Sequence, residues 1–203
     1  MKKIIFIIVF IFSCKVNSQT FLEGTNYIRL PNPIENAATI TEYFSFYCKY
    51  CYQFEKELHL YSHLSKNIKI NSYHVEFFKN KQEKILTHIW SIAKLIHVEN
   101  KIILPIFEFI NETKNQINFR AIKKIFIENT NISKQEFYKL WNSYSVLNLI
   151  AENKKQSKKI YLSYVPQIII NGKYMILTES LNSDSLENFI LEYTKIIKYL
   201  IKK

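Results

Sequence analysis

Glycine and proline are scarce, with two and four in 203 residues. That excludes low-complexity linkers and collagen-like repeats and argues against a string of loosely tethered modules. There is no glycine-rich phosphate loop and no quartet of metal ligands, so no cofactor is expected. Acidic residues are also few, 17 against 28 Lys+Arg, for a formal charge of +11. The basic residues are nearly all Lys, spread through a chain crowded with Ile, Asn, Phe and Tyr, and no basic stripe stands out, so nucleic acid is not an expected partner. What is abundant is apolar: 48% hydrophobic and 15% aromatic content excludes disorder and suffices for one sizeable core.

The N-terminus reads as an address. Lys2 and Lys3 precede the apolar run Ile4 to Phe12, and Val16-Asn17-Ser18 supplies small residues where a signal peptidase cuts. The run is about half of the roughly 20 residues a bilayer-spanning helix needs, which favours a cleaved secretory signal over residues 1–18 and export to the periplasm. Lipid attachment at Cys14 is the competing reading, and bulky Phe12 argues against it. Cleavage near Ser18 leaves two cysteines, Cys48 and Cys51.

The apolar periodicity gives an order of elements. Thr39 to Phe46 alternates, with Ile40, Phe44 and Phe46 on one face, which predicts a strand that also turns Glu42 inward. The period then becomes helical through Cys51, Phe54, Leu58, Tyr61 and Leu64. Ile68 to Val75 predicts a second strand. A helical block spans 79–150, with Pro105 interrupting a short segment and Ser133 with Glu136 forming a capping box. Pro166 opens the strand Gln167–Ile170, and Asn171-Gly172 marks a two-residue hairpin turn into Tyr174 to Leu177. After Asp184, a last helix carries Leu186, Phe189, Tyr193, Ile196, Ile197 and Leu200 along one stripe. The division is residues 19–78 with 151–203 as one α/β domain and 79–150 as a helical insertion.

The Cys48-Lys49-Tyr50-Cys51 motif falls at a strand-to-helix junction. A bond across so short a ring removes little entropy from the unfolded chain, which points to chemistry rather than stapling. At a helix N-terminus the Cys48 sulfur would face unpaired N–H groups and the positive end of the dipole, both of which favour a thiolate. An i,i+3 spacing brings the two Cα atoms within disulfide range. Lys49 and Tyr50 could add a charge and a hydroxyl to that anion. Three plainer readings compete. One is a structural disulfide. Another is a metal site with His59 and His63, which a continuous helix would hold too far from Cys51. In the third, the lysines at 154, 155, 158 and 159 bind nucleic acid, although a wetted helix face accounts for them.

Glu42-Tyr43-Phe44-Ser45-Phe46, Cys51-Tyr52-Gln53-Phe54-Glu55, Tyr73-His74-Val75, Trp141-Asn142-Ser143, Val165-Pro166 and Asn171-Gly172-Lys173-Tyr174 together resemble the DsbA family of exported thiol-disulfide oxidoreductases, from about Thr20 to Lys203. The resemblance implies an α/β thioredoxin-like fold with an inserted helical domain, and an enzyme that donates its Cys48–Cys51 disulfide to reduced, unfolded exported proteins. Its reoxidant would be a DsbB-type quinone reductase in the membrane. The resemblance also implies a cis Pro166 beside the cysteines, Val165 offering backbone bonds to substrate, Glu42 beneath Cys51 and Glu55 as an acidic neighbour. The chain departs from the family at two places. Lys49-Tyr50 replaces the usual Pro-His, and Ser72 stands where a lysine normally partners the buried glutamate. A monomer is expected. A reductase or isomerase on the same scaffold, or an inert module with a permanent disulfide, are the alternatives.

Overall fold

The computed structural model describes residues 20–58, 68–113, 117–159, 162, 164–182 and 184–203. The N-terminal address, His59, His63, Tyr61 and Leu64 lie outside that set. Five strands form one sheet in the order β1-β5-β4-β2-β3, from β1 (Tyr27–Arg29), β2 (Ile40–Phe44), β3 (Ile70–His74), β4 (Gln167–Ile170) and β5 (Tyr174–Ile176). β2 and β3 run parallel, and the other pairings are antiparallel. A short helix α1 (Lys49–Gln53) follows β2 and passes directly into a π-helical turn over Phe54–Leu58. Between β3 and β4 come α2 (Lys81–Leu95), α3 (Glu99–Glu112), α4 (Phe119–Thr130), α5 (Lys134–Trp141) and α6 (Tyr144–Lys159), and α7 (Leu186–Ile201) closes the chain. The chain is thus α/β, a thioredoxin-like sheet interrupted by a helical insertion.

β2 departs from the one-sided strand expected. Thr41 and Tyr43, on the face opposite Ile40 and Phe44, are buried as well. β2 is an interior strand between β3 and β4, and Tyr43 packs with Leu30, Val75 and Ile169 and stacks on Tyr73. Burial on both faces is characteristic of parallel pairs that carry crossover helices. On the other face, Ile40 joins Ile168, Ile170 and the α7 residues Tyr193, Ile196 and Ile197. Phe44 joins Phe46, Trp90 and Phe107 beneath the helical insertion. Each such apolar side chain contributes about 1.5–3 kcal/mol by leaving water.

Four local expectations are modified. Pro105 sits inside α3 rather than breaking it. The helical bond it cannot make would have gone to the carbonyl of Lys101, which is on the exposed side where solvent can take its place. The last helix of the insertion runs on to Lys159, beyond the boundary expected at 150. The hairpin pairs Ile170 with Tyr174, so three residues rather than two separate the paired ends. Asn171 and Gly172 both take positive φ, 52° and 65°. A Cβ on Gly172 would fall 2.4 Å or so from the Ile34 carbonyl oxygen, the close approach that glycine permits here. Finally, Leu186 remains 43% exposed, so the first turn of α7 is not covered by the core.

Candidate active site

The loop after β2 turns on Ser45, whose carbonyl accepts from the Cys48 amide at 2.9 Å. That turn delivers Cys48 as the N-cap of α1. Its backbone is extended, at φ −83° and ψ 110°, and its Sγ accepts a 3.0 Å hydrogen bond from the Cys51 amide. The sulfur therefore occupies the place that an N-cap oxygen normally takes, satisfying an amide the helix leaves unpaired. Cys51 is one turn on and only 4% exposed, whereas Cys48 is half-buried. The two are disulfide-bonded with a Cα separation of 5.2 Å. One sulfur faces outward and the other faces the core.

The outward sulfur is met by the start of β4. The Val165–Pro166 peptide is cis, Pro166 is buried, and the Val165 carbonyl oxygen lies 3.3 Å from Cys48 Sγ. Residues far apart in sequence thus converge on one sulfur. Beside them opens a groove of about 740 Å³ bordered by Tyr50, Phe54, Tyr164, Pro166, Leu186 and Phe189. Its walls are mainly aromatic and aliphatic. Across it Tyr164 donates a 3.0 Å hydrogen bond to Glu179, and burial, with that bond second, pushes the phenol up to about 12.

The remaining predicted residues fall into two groups. Lys49 and Tyr50 are on the solvent side of α1, with Tyr50 70% exposed. Glu42 points from the middle of β2 toward the α7 side. It is half-buried and accepts a 2.8 Å hydrogen bond from Ser72 Oγ on β3. Its charge, after burial itself, helps hold the Tyr193 phenol well above the ordinary range. The residue at 72, lacking the ammonium of the family lysine, is still a donor to the carboxylate. Glu55 is half-buried in the π-helical turn that follows α1.

Two features had no expectation behind them. Tyr52 donates to Glu112 at the end of α3, and Lys56 donates to both, at 2.9 Å to the phenol and 2.5 Å to the carboxylate. This ties α1 to the insertion, and the hydrogen bond from Lys56 lowers the Glu112 carboxyl. The groove wall formed by Thr178, Glu179, Leu186 and Phe189 was likewise missed. The available signal was the stripe on α7, whose first members begin one turn before the core does.

Among known proteins, the family model of the DSBA-like thioredoxin domain matches residues 39–191. The thiol:disulfide interchange protein DsbA of Buchnera aphidicola from Acyrthosiphon pisum is 39% identical over 208 residues, covering 100% of this chain and 98% of its own. The Escherichia coli protein of the same name is 33% identical over 185 residues, covering 89% and 88%. Among solved structures, Proteus mirabilis DsbA superposes with a TM-score of 0.81 at 27% identity, covering 91% of this chain and 98% of its own. A variant of that protein, solved with the non-covalently bound peptide PWATCDS, gives a TM-score of 0.83 at 26% identity, covering 91% and 100%. A cysteine pair one turn apart at a helix N-terminus, this sheet, and relatives alike along nearly their whole length lead to one assignment: the chain belongs to the DsbA family and is a thiol:disulfide oxidoreductase.

Proposed function

We propose that the protein is a periplasmic oxidant that donates its Cys48–Cys51 disulfide to reduced, unfolded proteins newly exported from the cell, with residues 1–18 as the cleaved signal. A substrate thiolate attacks Cys48 Sγ, the Cys48–Cys51 bond breaks, and Cys51 leaves as a thiolate that takes up a proton. A second substrate thiolate then attacks the substrate sulfur of the mixed disulfide and expels Cys48. The substrate loses two electrons and the Cys48–Cys51 pair gains them.

The observation that carries this reading is the position of Cys48: its sulfur is capped by the Cys51 amide, half-open to solvent, and adjacent to Val165, Pro166 and an apolar groove. Pro166 and the Val165 backbone would seat an extended stretch of substrate, and the groove would take its apolar side chains. Glu42 would shuttle a proton for the buried Cys51 thiol, with Glu55 as a further acidic neighbour. The reduced protein, acting as a monomer, would be reoxidised by a DsbB-type membrane quinone reductase.

The test is to mix the oxidised protein with a reduced, unfolded secretory protein and follow the substrate's disulfides. Transfer should occur, and it should stop in Cys48→Ser and in Cys51→Ser alike, since neither variant can hold the disulfide that is donated. No transfer by the intact chain would leave an inert module. A reductase or isomerase would be distinguished by its reduction potential, each 30 mV or so being about 1.4 kcal/mol for this couple.

A further inference from the structure

A second cavity, of about 540 Å³, lies between the end of β3, the start of α2 and the outer face of α6. Val75, Phe77 and Leu162 give it an apolar lining, and Lys79, Lys84, Lys154 and Lys158 stand around it. None of these four lysines has an ion-pair partner among the described residues. Glu76, whose Oε1 is buried without a hydrogen-bond partner, is the acidic group in the lining. Four cations against one carboxylate leave a strong positive excess over an apolar floor.

Of the other polar groups, Asn153 and Ser157 are already engaged, while His74 Nε2 is buried without a partner. Asn153 is spent on the backbone of His74, accepting from its amide at 3.0 Å and donating to its carbonyl at 2.6 Å. Ser157 donates to the Asn153 carbonyl. The His74 ring is fully buried, and burial keeps it neutral. The lysines are what remains to bind.

The placement of two of them runs against the local needs of the helix that carries them. Lys154 and Lys158 are like charges one turn apart on α6, a repulsive spacing. Lys84 is in the first turn of α2, where the dipole favours acids and Glu83 already supplies one. Lys79, immediately before the N-cap Asn80, is held at φ 52° although it is neither glycine nor asparagine. An anion seated among them would relieve the repulsion between Lys154 and Lys158.

We propose that this cavity is a binding site for a free amphiphilic anion of small-molecule size, an acyl chain ending in a carboxylate, with the chain over Val75, Phe77 and Leu162 and the carboxylate among the lysines. The volume is that of a small-ligand pocket. Of the lysine run 154–159, Lys154 and Lys158 face the cavity, and this separates them from a uniformly wetted helix face.

The test uses the full mature chain, oxidised, with decanoate as probe and decanol as its uncharged counterpart, read by amide chemical shifts. Decanoate at about 1 mM should shift the amides of Val75 to Lys79 and Lys154 to Lys158 and bind at least about tenfold more tightly than decanol. The double variant Lys154→Gln with Lys158→Gln should lose about tenfold in decanoate affinity. The same variant should keep the wild-type rate of disulfide transfer, so the result does not depend on the role given to Cys48. Equal binding of decanol, no shifts with decanoate, shifts confined to the groove at Phe189, or capture by vesicles of anionic phospholipid without decanoate binding would each overturn the proposal.

Discussion

Ser72 and Glu42 face each other across the parallel β2–β3 ladder, and the serine hydroxyl donates a 2.8 Å hydrogen bond to the carboxylate. A hydroxyl donor favours the ionised form less than a nearby ammonium would. If Glu42 moves the proton of the buried thiol, Glu42→Gln should slow resolution of the mixed disulfide, on the order of tenfold or more at neutral pH. Ser72→Lys should move the pH dependence of that step down by about one unit. Stopped-flow kinetics from about pH 5 to about pH 8 measure both, and rates indifferent to Glu42→Gln across that range would remove the residue from the mechanism.

The leading sulfur takes an amide hydrogen bond at the head of α1, while Lys49 and Tyr50 project into solvent. A titration of absorbance at 240 nm on the reduced protein should place the Cys48 midpoint below the free-thiol value of about 8.5, within the range of roughly 3.5–7.5 known for cysteines at helix N-termini. Because charge at exposed positions is screened, Lys49→Gln and Tyr50→Phe should each change it by less than about one unit. A midpoint near 8.5 would mean that the helix does not activate the sulfur.

His74 is fully buried beside Phe44 and Phe46, with Nδ1 bonded to Thr87 at 2.9 Å, and burial lowers its pKa from 6.5 to about 3. Above pH 6.5 both folded and unfolded chains hold it neutral. As the pH falls, the unfolded chain binds a proton that the folded chain refuses, so stability declines between 6.5 and about 3. The slope should approach about 1.4 kcal/mol per pH unit for this group. Denaturant titrations at several pH values should show it, flattened in His74→Gln; equal slopes in the two proteins would assign the acid sensitivity to other groups.

Leu186 is on the exposed first turn of α7 and borders the groove beside Pro166. Leu186→Asp should raise KM for an unfolded polypeptide substrate about tenfold, the equivalent of about 1.4 kcal/mol of lost contact. Reaction of Cys48 with a small thiol such as glutathione, which needs no groove, should be unchanged. Loss of both reactions together would indicate damage to the fold instead.

The fold was legible where apolar period and turn chemistry agreed. The switch from alternation to helical spacing at Cys48, the Asn171-Gly172 turn and the stripe of α7 each correspond to an observed element. β1 gave no signal, because Tyr27–Arg29 is too short to show a period and is held by its pairing with β5. The burial of Tyr43 was not legible because alternation reports polarity, and a tyrosine in an interior strand buries its ring whichever face it takes. At the site, spacing marked the two cysteines, but Val165 could be brought to Cys48 only through family resemblance, since they are 117 residues apart in sequence. Lys56 and Glu112, which tie the π-helical turn after α1 to α3, carry no local pattern at all.

If the chain is exported as proposed, threaded N-terminus first through a membrane, that sequence separation also sets an order of events. The sulfurs emerge early, as ordinary thiols on an unfolded segment, whereas the loop that faces them is delivered only after the whole helical insertion has crossed. Until then the growing polypeptide is chemically a client, and it becomes a donor only when its last quarter has arrived and folded and its two thiols have been oxidised to the disulfide.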